Sequence, residues 1–183
     1  TLEYFEVSRV TKDQLSDPIY RLTSKAFSLL EKPAKVPQIF ISYSHRKSSA
    51  LSLLVEARLK NKDEQIGVFI DKSINAGEKW HSYLDEQLNQ CKVLICLLTE
   101  KTLESYFVRK EINFALDNDK TVIAICHDGY KIPDVNTYTD NDINELLKRL
   151  NEVQAVNVGQ PESAKEYEIA LLELFIALGY STL

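Results

Sequence analysis

Glu111 is the residue of this chain best placed to do chemistry. In the run Ser105-Tyr-Phe-Val-Arg-Lys-Glu111-Ile-Asn-Phe-Ala-Leu116, Val108, Ile112, Ala115 and Leu116 recur at the spacing of a helix with one buried stripe. Glu111 falls at the border of that stripe, with Phe107 one turn earlier and Phe114 close by on the outer side. A surface glutamate of purely structural use sits opposite the stripe. One placed at its border among aromatics reads in two ways: as a solvated rim residue, the common case, or as a partly desolvated carboxylate, and desolvation is how a carboxylate acquires a raised pKa and a chemical role. A second segment, Ser44-His45-Arg46-Lys47, offers hydroxyl and cationic groups suited to phosphate. The cysteines (Cys91, Cys96, Cys126) and histidines (His45, His81, His127) are scattered. They form no ligand cluster, so no metal site is expected and the thiols read as free in a reducing cytosol.

The elements that must position these residues alternate regularly. Gln38–Tyr43 (QIFISY), Ile66–Asp71 (IGVFID), Val93–Leu98, Thr121–Cys126 and Val153–Val158 read as strands. Ser49–Leu59, Trp80–Gln90, the Glu111 segment, Asn141–Leu150 and Ser163–Leu178 read as helices. Five such β-α units with continuous apolar strands predict an α/β fold, a five-stranded parallel sheet with helices on both faces. The flavodoxin-like strand order 2-1-3-4-5 is the expected one. Its topological switch lies between the first and third strands, and ligands sit outside their carboxyl ends. The loop Ser44–Lys47 and the segment Thr99–Ser105, which leads into the Glu111 helix, meet there. Residues 1–37 differ: Asp17-Pro18 followed by Ile19, Leu22, Ala26, Leu29 and Leu30 predicts a helix that Pro33 stops, then an extended linker to Pro37. The expected organisation is an N-terminal helical extension over 1–37 and the α/β domain over 38–183.

Composition excludes several classes. The chain has 183 residues, 44% hydrophobic and 27% charged, enough for one well-buried core. A net charge of −5 argues against a general binder of nucleic acid or anionic membrane. The longest apolar run, Val93–Leu98, is far short of the roughly 20 residues of a membrane span. No signal-peptide pattern opens the sequence, so a cytoplasmic location is expected. The sequence holds no methionine, from which a fragment of a longer protein is expected.

The loop chemistry narrows the choice further. A phospho-accepting receiver needs acidic residues after the first strand and an aspartate after the third; Tyr43-Ser44 and Leu98-Thr99 stand there. Ser42–Ser49 holds no glycine, against a dinucleotide-binding G-x-G-x-x-G, and neither a P-loop nor a G-x-S-x-G elbow exists. A basic, hydroxyl-rich loop facing one carboxylate and several aromatics suits a phosphate-bearing glycoside cleaved through an oxocarbenium-like state.

Several motifs in order resemble those of Toll/interleukin-1 receptor (TIR) domains. Ile39-Phe-Ile-Ser-Tyr-Ser44 is similar to their opening box. Val68-Phe-Ile-Asp71 with Ala76-Gly77 is similar to their second strand and BB loop, and Ile123–Tyr130 (IAICHDGY) to their fourth strand and following loop. Val108-Arg-Lys-Glu111-Ile resembles the third-helix motif of the members that cleave NAD, found in animal axon degeneration and in bacterial anti-phage effectors. The resemblance runs from about Gln38 to the C-terminus.

The resemblance implies an NAD+ glycohydrolase releasing nicotinamide and ADP-ribose or a cyclic ADP-ribose isomer, with NAD+ as substrate and no other cofactor. It puts Glu111 in the place of the catalytic glutamate. Phe107 stands where the family often carries tryptophan, positioned to stack on nicotinamide. Arg46 and Lys47 stand for a pyrophosphate-binding pair. Tyr43, Ser44, Asp71 and Ser105 complete the substrate-binding set. Ile74, Asn75, Ala76, Gly77 and Glu78 form the loop through which TIR domains self-associate, so activation by assembly in immune or anti-phage signalling is implied, with a further domain or activating partner. Taken without the family, Arg46 and Lys47 read as solvated charges, Tyr43 as a core-rim aromatic, Asp71 as a turn former, and Ser105 as a helix cap. Two other functions stay open: a non-catalytic TIR adaptor acting by association, and a module that senses nucleotides without turnover.

Overall fold

The computed structural model describes residues 5–8, 19–22, 38–70, 78–135 and 137–180, with side chains described over 38–70, 83–135 and 137–180. The chain divides into two compact units, Thr1–Lys35 and Val36–Leu183. In the first, β1 (Phe5–Ser8) pairs antiparallel with β2 (Ile19–Leu22), Phe5 opposite Leu22 and Val7 opposite Tyr20. The helix expected to start after Pro18 is therefore overturned over Ile19–Leu22. Four residues with a β-branched and an aromatic side chain satisfy a strand as well as a helical turn, and a partner strand decides between them. The remainder of that expected helix lies outside the described residues.

In the second unit five parallel strands form one sheet in the order β4-β3-β5-β6-β7. They are β3 (Ile39–Tyr43), β4 (Val68–Ile70), β5 (Val93–Leu98), β6 (Thr121–Cys126) and β7 (Gln154–Asn157). Counted within the sheet this is 2-1-3-4-5, and the chain has the predicted α/β architecture. β3 and β5 run in register from Ile39 opposite Val93 to Tyr43 opposite Leu97. All five residues of β3 and the last five of β5 and of β6 are buried, as central strands covered on both faces require.

The period of two along each strand sorts these side chains into two cores. Ile39, Ile41 and Tyr43, with Ile95, Leu97, Ile123 and Ile125, pack under helices α1 (His45–Lys62) and α5 (Ala164–Ala177) through Leu51, Val55, Leu59, Leu171 and Leu174. Phe40, Leu94, Cys96, Leu98, Val122 and Cys126 face the other way. They meet α2 (Glu78–Gln90), α3 (Tyr106–Asp117) and α4 (Asn141–Leu150) through Leu88, Val108, Ile112, Ala115, Ile143, Leu146 and Leu150. The three cysteines are all buried in this second core. Burial pushes the Cys91 and Cys96 thiols up and raises Cys126 to about 11.

Two boundaries differ from the expected ones where function is concerned. Arg46 and Lys47 are not in a loop: α1 begins at His45, directly after β3, so both sit in its first turn. α2 begins at Glu78, which is therefore helical rather than part of the expected assembly loop. Asp71 and the rest of that loop, Ile74, Asn75, Ala76 and Gly77, lie outside the described residues. No described helix is long and apolar enough to cross a membrane.

Candidate active site

Glu111 lies on α3 directly across from β3. Its Oε2 accepts a hydrogen bond of 2.5 Å from the Ser42 hydroxyl, and Ser42 is 1% exposed. Val108, Ile112 and Ala115 are buried as the helical stripe requires, and Glu111 is half-buried at the stripe's edge. Phe107, one turn earlier, is 55% exposed and joins Glu111, Phe40, Leu84, Leu88, Asp85 and Lys110 around a small cavity. Asp85 of α2 accepts from Lys110 Nζ at 3.0 Å, so these two charged groups of the cavity lining pair with each other. An exposed ring and a carboxylate held from below thus share one apolar floor.

The segment that leads into α3 is fixed by its own hydroxyls. Thr102 Oγ1 accepts from the Thr99 N–H at 2.9 Å and also bonds the Thr99 hydroxyl, and both threonines are buried. This tight turn feeds a short 3-10 helix, Thr102–Glu104. Arg109 of α3 clamps that turn by donating to the carbonyls of Leu103 and Glu104. Ser105 caps α3, its Oγ accepting from the Val108 N–H at 3.5 Å. Its hydroxyl is engaged in the helix end.

At the carboxyl ends of β3 and β5, the predicted switch point, lies an open cleft of about 480 Å³. Ser44, Arg46, Lys47, Thr99, Glu100, Lys101, Glu104 and Asp128 line it. Ser44 holds the N-cap position of α1 without a capping bond from its side chain, in extended backbone with φ −87° and ψ 121°. It follows β3 directly, two residues beyond Ser42.

The electrostatics of the cleft are mixed. Arg46, Lys47 and Lys101 face Glu100, Glu104 and Asp128, but α1 is 18 residues long, directs its positive dipole end here, and has no acidic residue in its first turn. Lys47 Nζ pairs with Asp128 Oδ2 at 2.9 Å, with side chains 62% and 51% exposed. Hydrogen bonding and charge from Asp128 raise the Lys47 pKa, and Lys47 lowers that of Asp128. Asp128 adopts φ 56° and Gly129 φ 73°, a left-handed pair that aspartate and glycine tolerate. Glu162 fixes this turn by accepting from the Asp128 N–H, and also accepts from the Tyr167 hydroxyl. Beneath, buried His127 shares a 2.8 Å hydrogen bond between Nε2 and the buried Ser48 hydroxyl. Burial lowers the His127 pKa, against the opposing pull of Glu162 and Asp128.

The structure thus places Ser44, Arg46 and Lys47 on the cleft at one end of the sheet, and Glu111 with Phe107 on a separate small cavity between α2 and α3. It brings Tyr43 to neither: that ring packs in the core on the opposite face and lies 4.9 Å from the His45 ring. Sequence reasoning passed over Ser42, Asp128 and the Thr99–Thr102 pair. Ser42 had a legible signal, being a hydroxyl in the middle of an apolar strand, where a buried donor needs an acceptor. Asp128 had none, because its partner is 81 positions away.

The sequence model of the TIR domain family matches residues 39–166. The NAD(+) hydrolase tir-1 of Caenorhabditis elegans is 26% identical over 151 residues, covering 73% of this chain. The chain spans 15% of that relative's length. Among solved structures, the TIR domains of the activated Roq1 resistosome that recognises the pathogen effector XopQ superpose with a TM-score of 0.58 at 13% identity. That match covers 76% of this chain and 98% of the other, a likeness of fold.

Proposed function

Since the chain belongs to the TIR domain family, its match spanning residues 39–166, we propose that it cleaves NAD+ at the bond between nicotinamide and ribose. The observation that carries this reading is Glu111. Its carboxylate is held by Ser42, the penultimate residue of β3, beside the exposed Phe107 ring, and parallel α/β folds bind ligands outside the carboxyl ends of their strands. The relative named as an NAD(+) hydrolase supports the same substrate.

The geometry suits the reaction in the following way. The Phe107 face accepts the nicotinamide ring by stacking, and the ribose lies over Glu111. The dipole end of α1 with Arg46 and Lys47 takes the diphosphate. When the C1′–N bond breaks, its electron pair stays on the pyridinium nitrogen, which leaves as neutral nicotinamide. That departure needs no general acid, so the two carboxylates of ordinary glycosidases are unnecessary. Positive charge develops at the anomeric carbon and its ring oxygen, and the Glu111 carboxylate stabilises it electrostatically. Water then adds at the anomeric carbon and loses a proton, giving ADP-ribose; attack by a nucleophile of the same molecule gives a cyclic isomer instead. Self-association through TIR–TIR contacts is the proposed means of activation, in an immune or anti-phage setting.

Incubation with NAD+ and chromatographic detection of nicotinamide tests this. Glu111→Gln keeps shape and removes charge. It should reduce release by on the order of 100-fold or more, the scale of losing one preorganised electrostatic group, with the melting temperature nearly unchanged. Turnover of the variant at the wild-type rate would remove Glu111 from the mechanism.

A further inference from the structure

We propose that Ser42 is a positioning residue for the Glu111 carboxylate, holding it ionised and in one rotamer beneath the substrate ribose. This rests on the reading of Glu111 as the charge-stabilising group. Two observations carry it. Ser42 sits in β3 between Ile41 and Tyr43, opposite Cys96, and its same-face neighbours Phe40, Leu94, Cys96 and Leu98 are buried, with the Cys96 thiol turned to the Ile123 carbonyl. A small apolar residue would fill that site equally well, so the hydroxyl is there for its hydrogen bond. Its proton goes not to a neighbouring turn but 69 positions along the chain, to Glu111 Oε2 at 2.5 Å. Such a bond, from a neutral donor to an anion in a part-buried setting, fixes the direction of the carboxylate as well as its distance.

The chemical consequence follows from which protonation state the bond favours. A hydroxyl that donates to a carboxylate favours the charged form. The charged form alone stabilises an oxocarbenium-like state, so Ser42 acts through Glu111 without touching the substrate. Among the described residues, the charged groups that share the cavity with Glu111 are Lys110 on α3 and Asp85 on α2, which pair with each other. The remaining described lining (Phe40, Leu84, Leu88 and Phe107) is apolar. Substitution at Ser42 leaves the Lys110–Asp85 pair in place.

The test uses the full chain with Ser42→Ala, Ser42→Cys and Ser42→Thr. Cysteine keeps the volume with a weak donor, and threonine keeps the hydroxyl. The Glu111 side-chain carboxyl is titrated by carbon-13 NMR, assigned by its loss in Glu111→Gln, and steady-state kinetics are measured on NAD+. The expected result is a higher titration midpoint of Glu111 in Ser42→Ala and Ser42→Cys than in wild type, returned by Ser42→Thr. The matching kinetic result is a roughly tenfold lower kcat with KM within about twofold, one unsatisfied charge-assisted bond being of that order. A midpoint and a kcat that stay at wild-type values in folded Ser42→Ala or Ser42→Cys would overturn the proposal while the NAD+ reading stood. A midpoint that moves as expected, in a protein that releases no nicotinamide, would uphold the Ser42–Glu111 coupling and overturn the assignment of NAD+.

Discussion

Lys47 and Asp128 hold each other across the mouth of the cleft, and this pair sets a condition on ligand entry. A diphosphate that recruits Lys47 competes with Asp128 for the same ammonium. Asp128→Asn removes the competing charge and leaves a side chain that still tolerates φ 56°. The KM for NAD+ should therefore fall, by up to about fivefold, which is the ceiling for an exposed pair. Arg46→Ala should raise it, since Arg46 brings its charge to the same lining. Initial rates across a substrate series check both, and an unchanged KM in each variant would return Arg46 and Lys47 to the status of solvated charges. At this scale the sequence was partly legible. Glu111 showed through its place at the edge of an apolar stripe. Ser105 read equally as cap and as ligand contact, and its bond to the Val108 N–H favours the cap. Strand alternation, once Ser42 faces Glu111, sends Tyr43 to the opposite core.

The elements themselves were legible wherever a long apolar period had no rival. β5, β6 and α4 occupy Val93–Leu98, Thr121–Cys126 and Asn141–Leu150 as their apolar patterns predict. The α1 start was missed because polar His45-Arg46-Lys47 carries no hydrophobic period, although those residues are helical by backbone. Ile19–Leu22 was misread because a four-residue run cannot decide its own period, and β1 decides it. The junction of α1 with β6 makes a prediction of its own. His127 is buried with its pKa lowered by desolvation, so the folded state disfavours the imidazolium relative to the unfolded chain. Stability attributable to this group is present above the unfolded value of 6.5 and is lost as pH falls through the lower folded value. The melting temperature should drop between pH 7.5 and 5.5, above the carboxylate range, and His127→Gln should flatten that drop. An identical slope in the variant, measured by thermal denaturation at several pH values, would assign the loss to other groups.

For the whole molecule, the sheet order and the two-sided core follow from five β-α units and were readable from the sequence. The state in which the molecule acts was not, because assembly depends on surfaces that need no internal pattern. Under the proposed function activity requires self-association, which makes specific activity rise with protein concentration. Gly77→Pro, in the predicted assembly loop, should lower activity and association together while circular dichroism stays that of the wild type. A dilution series read by nicotinamide release alongside light scattering checks this. Flat specific activity, with the loop variant fully active, would separate catalysis from assembly.

All three cysteines are buried at the sheet's second core, with thiols less acidic than usual. Reactivity belongs to the exposed thiolate, so the native molecule is chemically quiet toward thiol reagents: Ellman's reagent should react slowly when folded and with all three sulfurs in denaturant. A single cysteine placed on the rim of the cleft, as in Glu100→Cys, would then be the one fast thiol. A maleimide fluorophore attached there would respond to the arrival of a nucleotide at Lys47 or of a second copy at the same end of the sheet, against a background the protein itself keeps dark.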